Sequence, residues 1–311
     1  MNKRTLLALG VAAAAGAVAW RRFSLRETLD WDAVPKPGRL IDIDGYRVHY
    51  VEEGAGPAIV LVHGFGGQTA NFSELMPQLT EDHRVIAVDL KGFGYSERNA
   101  RAGLSASDQV TMLRRLLDHL GVDRAVFVGH SMGGGIVQRF AATYPAAVDA
   151  LVLIASVSGE ERLPRHLPPN VLLRPLLPLV AGFIAARFAD GGFYDRSIVT
   201  PEMREEYVRP ARIKGFLDGM IAMVRDGRRD PPIDWGAITM PVLLLYGAED
   251  RVVPVSVAER IRRRTPQARL VVIERAAHLL IDERPRECAD AIASFLRDAV
   301  PASAASSAGS S

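Results

Sequence analysis

The chain has 311 residues, 48% of them apolar and 24% charged, with 38 Lys+Arg against 36 Asp+Glu and one cysteine. That length allows one large α/β domain or two small ones, and the composition excludes a disordered, collagen-like or multi-span membrane protein. The single cysteine, Cys288, excludes an intramolecular disulfide framework and a cysteine-based zinc site, and the near-zero net charge argues against a nucleic-acid partner.

Residues 1–22 contain Lys3, Arg4, Arg21 and Arg22 and no acid, a local charge of +4. The whole chain carries +2, so residues 23–311 carry −2 and present no basic field to a polyanion. Between the two basic pairs, Thr5 to Trp20 is an uncharged run of 16 residues. A basic start followed by an apolar run is how a secretory signal begins, and Ala17-Val18-Ala19 offers a cleavage site. As an uncleaved helix the run would rise about 24 Å, short of the roughly 30 Å hydrocarbon core unless Arg21 and Arg22 snorkel. The expectation is membrane attachment through residues 5–20, with export after cleavage and a cytosolic Ala-rich helix as the alternatives. Basic residues flank both ends about equally, so charge gives no orientation.

After a break at Pro35-Lys36-Pro37-Gly38, β-rich runs alternate with amphipathic segments. The predicted strands are Leu40–Asp44, Arg47–Glu52, Ala58–Val62, Val85–Leu90, Ala125–Gly129, Ala150–Ile154, Val242–Tyr246 and Leu270–Ile273. The later runs are continuously apolar, as parallel strands buried on both faces must be. The first two, parted by Gly45, read as an antiparallel hairpin at one edge. Ser107–Leu120, Ile136–Tyr144 and Pro285–Ala299 have helical periodicity, the last with its proline where a first turn tolerates one. Together these predict an α/β fold: a mostly parallel eight-stranded sheet flanked by helices.

The alternation lapses from 156 to 240, where apolar stretches (Val171–Phe188, Tyr207–Val224) are broken by Pro164, Pro168, Pro169, Pro175, Pro178, Pro201 and Pro210 and no strand pattern appears. The expected organisation is a sheet domain over 37–155 and 241–299, a helical cap over 156–240, and a disordered Ala/Ser/Gly tail over 300–311.

Gly129-His130-Ser131-Met132-Gly133 follows an apolar strand and precedes a helical run. In that context G-x-S-x-G reads as a nucleophile elbow, in which glycines relieve crowding at a sharp turn and leave Ser131 exposed at a helix N-terminus. A serine hydroxyl needs a base, and the base needs an orienting acid. Asp250, after the strand Val242–Tyr246, is the assigned acid, with the adjacent Glu249 as runner-up. His278, after Leu270–Ile273, is the assigned base, since no other histidine follows Asp250. His49 and His83 read as strand-edge or loop residues, and His119 and His166 as surface positions. An oxyanion hole takes two backbone N–H groups. Met132, next to the nucleophile, supplies one, and Phe65, within the glycine-rich His63-Gly64-Phe65-Gly66-Gly67, is assigned the other. No phosphate-loop or dinucleotide pattern is present.

With these motifs in hand, the chain resembles the α/β-hydrolase superfamily. The matching segments are His63-Gly64-Phe65-Gly66, Asp89 to Ser96, Gly129 to Gly134, Gly247-Ala248-Glu249-Asp250 and Ala277-His278, spread over roughly residues 40–298 in the family's order. The resemblance implies a Ser-His-Asp hydrolase whose helical insertion is the cap, with Asp89 and Gly92–Ser96 forming a structural loop near the site. Such chemistry needs no metal or organic cofactor. A serine at 131 speaks against haloalkane dehalogenases and epoxide hydrolases, which carry a carboxylate nucleophile. The cap's many apolar residues point to a small-molecule ester with an apolar acyl group as substrate. A carbon–carbon bond hydrolase using the same triad is the alternative, and a non-catalytic binding protein of this fold is a further one. Oligomeric state is not legible.

Overall fold

The computed structural model describes residues 27–159 and 192–299. The apolar run 5–20, the stretch Val171–Phe188, His166 and the tail 300–311 lie outside the described residues. Among the described residues no helix is long and apolar enough to cross a membrane.

Eight strands form one sheet: β1 (Arg39–Ile43), β2 (Tyr46–Glu53), β3 (Ala58–Val62), β4 (Arg84–Val88), β5 (Ala125–His130), β6 (Val148–Ile154), β7 (Val242–Gly247) and β8 (Arg269–Ile273). Their order across the sheet is β1-β2-β4-β3-β5-β6-β7-β8. β1 and β2 form the expected antiparallel hairpin at the edge, and β2 is also antiparallel to β4. Every other pairing is parallel. Period-2 alternation with apolar residues on both faces divides the interior into two cores. Val60 and Val62 of β3 enter one core while Ile59 and Leu61 enter the other. β8 departs from the expected double burial: it is the last strand, with Arg269 and Val272 exposed, because an edge strand has a neighbour on one side only.

On one face lie α1 (Ala106–His119), α2 (Met132–Thr143) and α5 (Val255–Arg264), and on the other α7 (Pro285–Ala299) packs with Phe72, Leu75 and Met76. α1 starts where Ser105 and Asp108 form a capping box, each side chain accepting the other's backbone N–H. Cys288 is wholly buried on α7, as an inert structural thiol; burial pushes its pKa up.

Between β6 and β7 the described residues hold α3 (Pro201–Val208), α4 (Phe216–Asp226) and short 3-10 turns, with no strand. The apolar run Tyr207–Val224 is not one helix. It ends α3 at Val208, passes through a 3-10 turn over Arg209–Arg212 and restarts after Gly215, which sits at φ 93°. Pro210 has no N–H for an α-helical bond, and the left-handed Gly215 then redirects the chain. Residues 27–29 are bound to this region. The Thr28 and Leu29 N–H groups donate to the Arg212 carbonyl (2.8 and 3.0 Å), and Glu27 accepts the Leu217 N–H (2.6 Å).

β3 has β4 on one side and β5 on the other, so the direction of winding reverses there. In an open α/β sheet the crevice beyond the strand C-termini at such a reversal is where sites form. The loops after β3 and β5 are the two glycine-rich segments singled out from the sequence.

Candidate active site

Ser131 joins β5 to α2 with φ 54° and ψ −119°, a conformation rare for any residue but glycine. Holding it costs about 1–3 kcal/mol, which the surrounding structure must sustain. Small residues follow it for a steric reason. A Cβ on Gly133 would fall 2.2 Å from the Val62 carbonyl oxygen and 2.5 Å from that of His63. The first turn of α2 is thereby pressed against the end of β3, and a methyl placed on Gly64 would lie 3.0 Å from Ser131 Cβ. The loop carrying Phe65 is thus held beside the serine. Phe65 lies in a turn closed by the Gly67 N–H on the Gly64 carbonyl (3.1 Å). Met132 is the first residue of α2, where an N–H has no intrahelical acceptor.

Ser131, His278 and Asp250, 147 and 28 residues apart along the chain, converge. Ser131 Oγ lies 3.0 Å from His278 Nε2, and His278 Nδ1 lies 2.9 Å from Asp250 Oδ2. All three are buried, at 6%, 1% and 4% exposure, so Ser131 is not exposed as the elbow alone predicts: the Gly64 loop and His278 pack over it. The other carboxylate oxygen of Asp250 accepts the N–H groups of Val252 (2.7 Å) and Val253 (2.8 Å), which fixes its rotamer. Beneath the triad, His130 Nε2–H donates to the His278 carbonyl oxygen at 2.9 Å. Burial, reinforced by repulsion from charge on His278, lowers the His130 pKa to about 3, so its ring stays neutral. A neutral donor steadies the His278 backbone without opposing positive charge on that imidazole.

The carboxylate on His278 Nδ1 is that of Asp250, and Glu249 has another task. Its carboxylate accepts the Ala276 N–H at 3.0 Å, bracing the turn that carries the histidine. His49 is neither at a strand edge nor in a loop: it is a fully buried residue of β2. Its Nδ1 lies 2.7 Å from Asp89 Oδ2, and its Nε2 meets the Pro37 carbonyl oxygen. Two acceptors call for a doubly protonated ring. Burial opposes that charge, but the Asp89 hydrogen bond and charge outweigh it and raise the His49 pKa. Asp89 also accepts the Thr69 N–H (2.6 Å) and the Tyr95 N–H (2.7 Å), tying the loop after β3 to the loop after β4. The close fit leaves no room at Gly94, where a Cβ would lie 2.0 Å from Asp89 Cγ. His63 is buried and neutral, its Nε2 accepting the Leu90 N–H (3.0 Å) and its Nδ1–H donating to the Gly64 carbonyl (2.7 Å). His83 and His119 lie in a loop and on an exposed helix end, as expected.

Aromatic rings surround the serine's loop. Phe65 packs edge-on to Phe93 (5.8 Å between centroids), and Phe93 to Phe216 of α4 (6.0 Å). A methyl on Gly66 would lie 3.8 Å from the Phe216 ring, so α4 overlies this loop. Met132, Leu217 and Met220 add partly buried apolar surface.

Close by, the short helix α6 (Leu280–Glu283) follows His278, and the Tyr207 hydroxyl of α3 donates to Asp282 at 2.5 Å. Burial raises the Asp282 pKa to about 7 against the Tyr207 hydrogen bond, which lowers it, and repulsion from Glu74, Glu283 and Glu206 adds to the rise. A carboxyl raised in the folded state from its unfolded value near 3.9 stabilises the fold at low pH, and that stability is lost as pH rises through about 7. Asp282→Asn, which still accepts from Tyr207, is therefore expected to raise Tm at pH 8 by about 3 °C or more, with the difference closing at pH 4. Thermal unfolding across pH checks this, and a variant less stable than wild type at pH 8 would contradict it.

A family model described as the alpha/beta hydrolase fold matches residues 57–285. The uncharacterized hydrolase YugF of Bacillus subtilis is 29% identical over 272 residues, 84% of this chain and 98% of that protein. The 2-hydroxy-6-oxo-2,4-heptadienoate hydrolase of Pseudomonas putida is 31% identical over 259 residues, 80% of this chain and 92% of that protein. Among solved structures, a membrane phospholipase A superposes with TM-score 0.71 at 26% identity, covering 97% of this chain and 100% of that one. The matched span takes in both the strained serine after β5 and the histidine after β8, and the chain belongs to the α/β-hydrolase fold family as one of its hydrolases.

Proposed function

We propose that the protein is a serine hydrolase of carboxylic esters with an apolar acyl group. The observation that carries this reading is the hydrogen bond from Ser131 Oγ to His278 Nε2 at 3.0 Å, made by a serine held in a strained turn. Ser131 Oγ attacks the ester carbonyl as its proton passes to His278 Nε2. Asp250 accepts from Nδ1–H, keeps the ring in the productive tautomer and stabilises the imidazolium. The N–H groups of Phe65 and Met132 stabilise the oxyanion of the tetrahedral intermediate. His278 then returns the proton to the departing alcohol. Water, deprotonated by His278, attacks the acyl-enzyme and releases the acid, regenerating Ser131.

The edge-to-face ring cluster of Phe65, Phe93 and Phe216, with Met132 and Met220, supports an apolar acyl group, since removing such a chain from water is worth about 0.8 kcal/mol per methylene. The likeness to a membrane phospholipase A supports the same choice. Similarity to the 2-hydroxy-6-oxo-2,4-heptadienoate hydrolase supports a second reading, carbon–carbon bond hydrolysis of a vinylogous diketone acid by the same triad. That reading requires a cation beside Ser131 to hold the substrate carboxylate. Hydrolysis of p-nitrophenyl esters from acetate to palmitate separates the two. The expected result is activity that peaks at an intermediate or long chain. Rapid fluorophosphonate labelling of Ser131 without turnover of any ester would instead favour carbon–carbon hydrolysis.

A further inference from the structure

The turn that presents His278 is clamped by carboxylates that the catalytic steps do not use. Glu249 accepts the Ala276 N–H from the β7 side. Glu283, at the end of α6, accepts the Ala277 N–H with Oε2 at 2.7 Å. Its other oxygen, Oε1, accepts two N–H groups from the insertion between β6 and β7, those of Tyr194 (2.7 Å) and Asp195 (2.9 Å). A second link runs parallel to it, the Leu279 N–H donating to the Gly192 carbonyl at 2.8 Å. The residues on either side of His278 are therefore bonded, directly or through one carboxylate, to residues 192–195.

This arrangement is chemically specific. Three N–H donors converge on one side chain, which suits a carboxylate, an acceptor with about four lone-pair sites and no proton of its own. An amide in the same place would have one acceptor oxygen and would turn an NH2 toward either the insertion or Ala277. Displacing the Ala277 N–H moves the Ala276–Ala277 peptide, one residue before His278, and the base must hold its place to within about 0.5 Å to serve Ser131.

We propose that Glu283 is a positioning residue: it couples the seating of the insertion at residues 194–195 to the alignment of His278 with Ser131 and Asp250. The inference rests on the reading of His278 as the general base.

The test uses the full chain and two independent readouts. One is the second-order rate of fluorophosphonate labelling, which depends on the triad and not on the natural substrate. The other is the low-field proton resonance of the His278 Nδ1–H, which reports the Asp250 hydrogen bond without any turnover. Glu283→Gln is expected to slow labelling about 30-fold, equivalent to about 2 kcal/mol of barrier, and to shift or broaden the resonance. Glu283→Asp, which keeps the charge but shortens the reach, is expected to fall between, and it carries the test if the glutamine variant does not fold. Glu287→Gln, a neighbouring exposed position, is expected to change neither readout. Folded Glu283 variants with wild-type labelling and an unmoved resonance would overturn the proposal, even if their Tm falls. Absence of labelling in the wild type would instead refute the serine hydrolase reading, and the resonance would then decide the role of Glu283 alone.

Discussion

Ser131→Ala is expected to abolish fluorophosphonate labelling and to lower ester turnover by about 10⁴- to 10⁶-fold, while leaving thermal stability close to wild type or raising it. Stability is spared because the hydroxyl makes one side-chain bond, to His278, and the strained φ of 54° serves the reaction and not the fold. His278→Ala should cost a similar factor, since without a base the hydroxyl is a poor nucleophile at neutral pH. Asp250→Asn should cost about 10⁴-fold by favouring the wrong imidazole tautomer. The three act as a unit, so Ser131→Ala combined with His278→Ala should be no worse than either alone. Steady-state kinetics on a p-nitrophenyl ester checks the series. Residual activity above a few per cent in Ser131→Ala would place the nucleophile elsewhere, and additive losses in the double variant would mean that the two residues serve different steps.

The largest effect on stability is expected from Asp89→Ala. Asp89 is fully buried and takes three donors, the N–H groups of Thr69 and Tyr95 and the His49 ring. Removing it strands two backbone donors and leaves His49 beside an uncompensated site. Breaking a buried pair by deleting one partner costs about 3–5 kcal/mol, here a Tm fall of about 10 °C. The loss should depend on pH with a definite sign. The His49 pKa is raised in the folded protein, so the pair's electrostatic contribution is complete below the unfolded value near 6.5. It is lost as pH rises through the higher folded value. The gap between wild type and variant should therefore be wider at pH 6 than at pH 9, with the backbone hydrogen bonds setting what remains. Calorimetry at the two pH values decides it. A variant within a degree of wild type, or a gap that widens toward pH 9, would refute the assignment of Asp89–His49 as a buried ion pair.

How much of this could be read in advance differed by kind of feature. Each strand was legible to within two residues at either end, because continuous runs such as Ala58–Val62 and Val242–Tyr246 suit only strands buried on both faces. Ser131 was legible because the elbow demands small residues at fixed local offsets, and Gly133 meets the Val62 carbonyl if given a side chain. α5 was not singled out, since Val257, Ala258 and Ile261 are a thin apolar stripe among arginines. His49 was misread because one histidine between Val48 and Tyr50 carries no mark of a partner 40 residues away. Glu249 drew a reading only as runner-up acid, and Glu283 none, for the same reason: each spends its carboxylate on backbone N–H groups, which every residue but proline offers, so no sequence pattern flags a bracing role.

What this sequence determined by itself is the set of strands, the three helices α1, α2 and α7, the strained turn at Ser131 and the residue types needed for nucleophile, base and acid. Those follow from local rules, namely the periods of strand and helix and the sterics of a turn. The tertiary structure alone decided the strand order with its reversal at β3, the antiparallel pairing of β2 with β4, the burial of His49 against Asp89, and the carboxylates that brace His278. Each of these joins residues far apart in the chain. A pairing such as that of His49 with Asp89, 40 residues apart, depends on how whole elements pack, and neither partner carries a local trace of it.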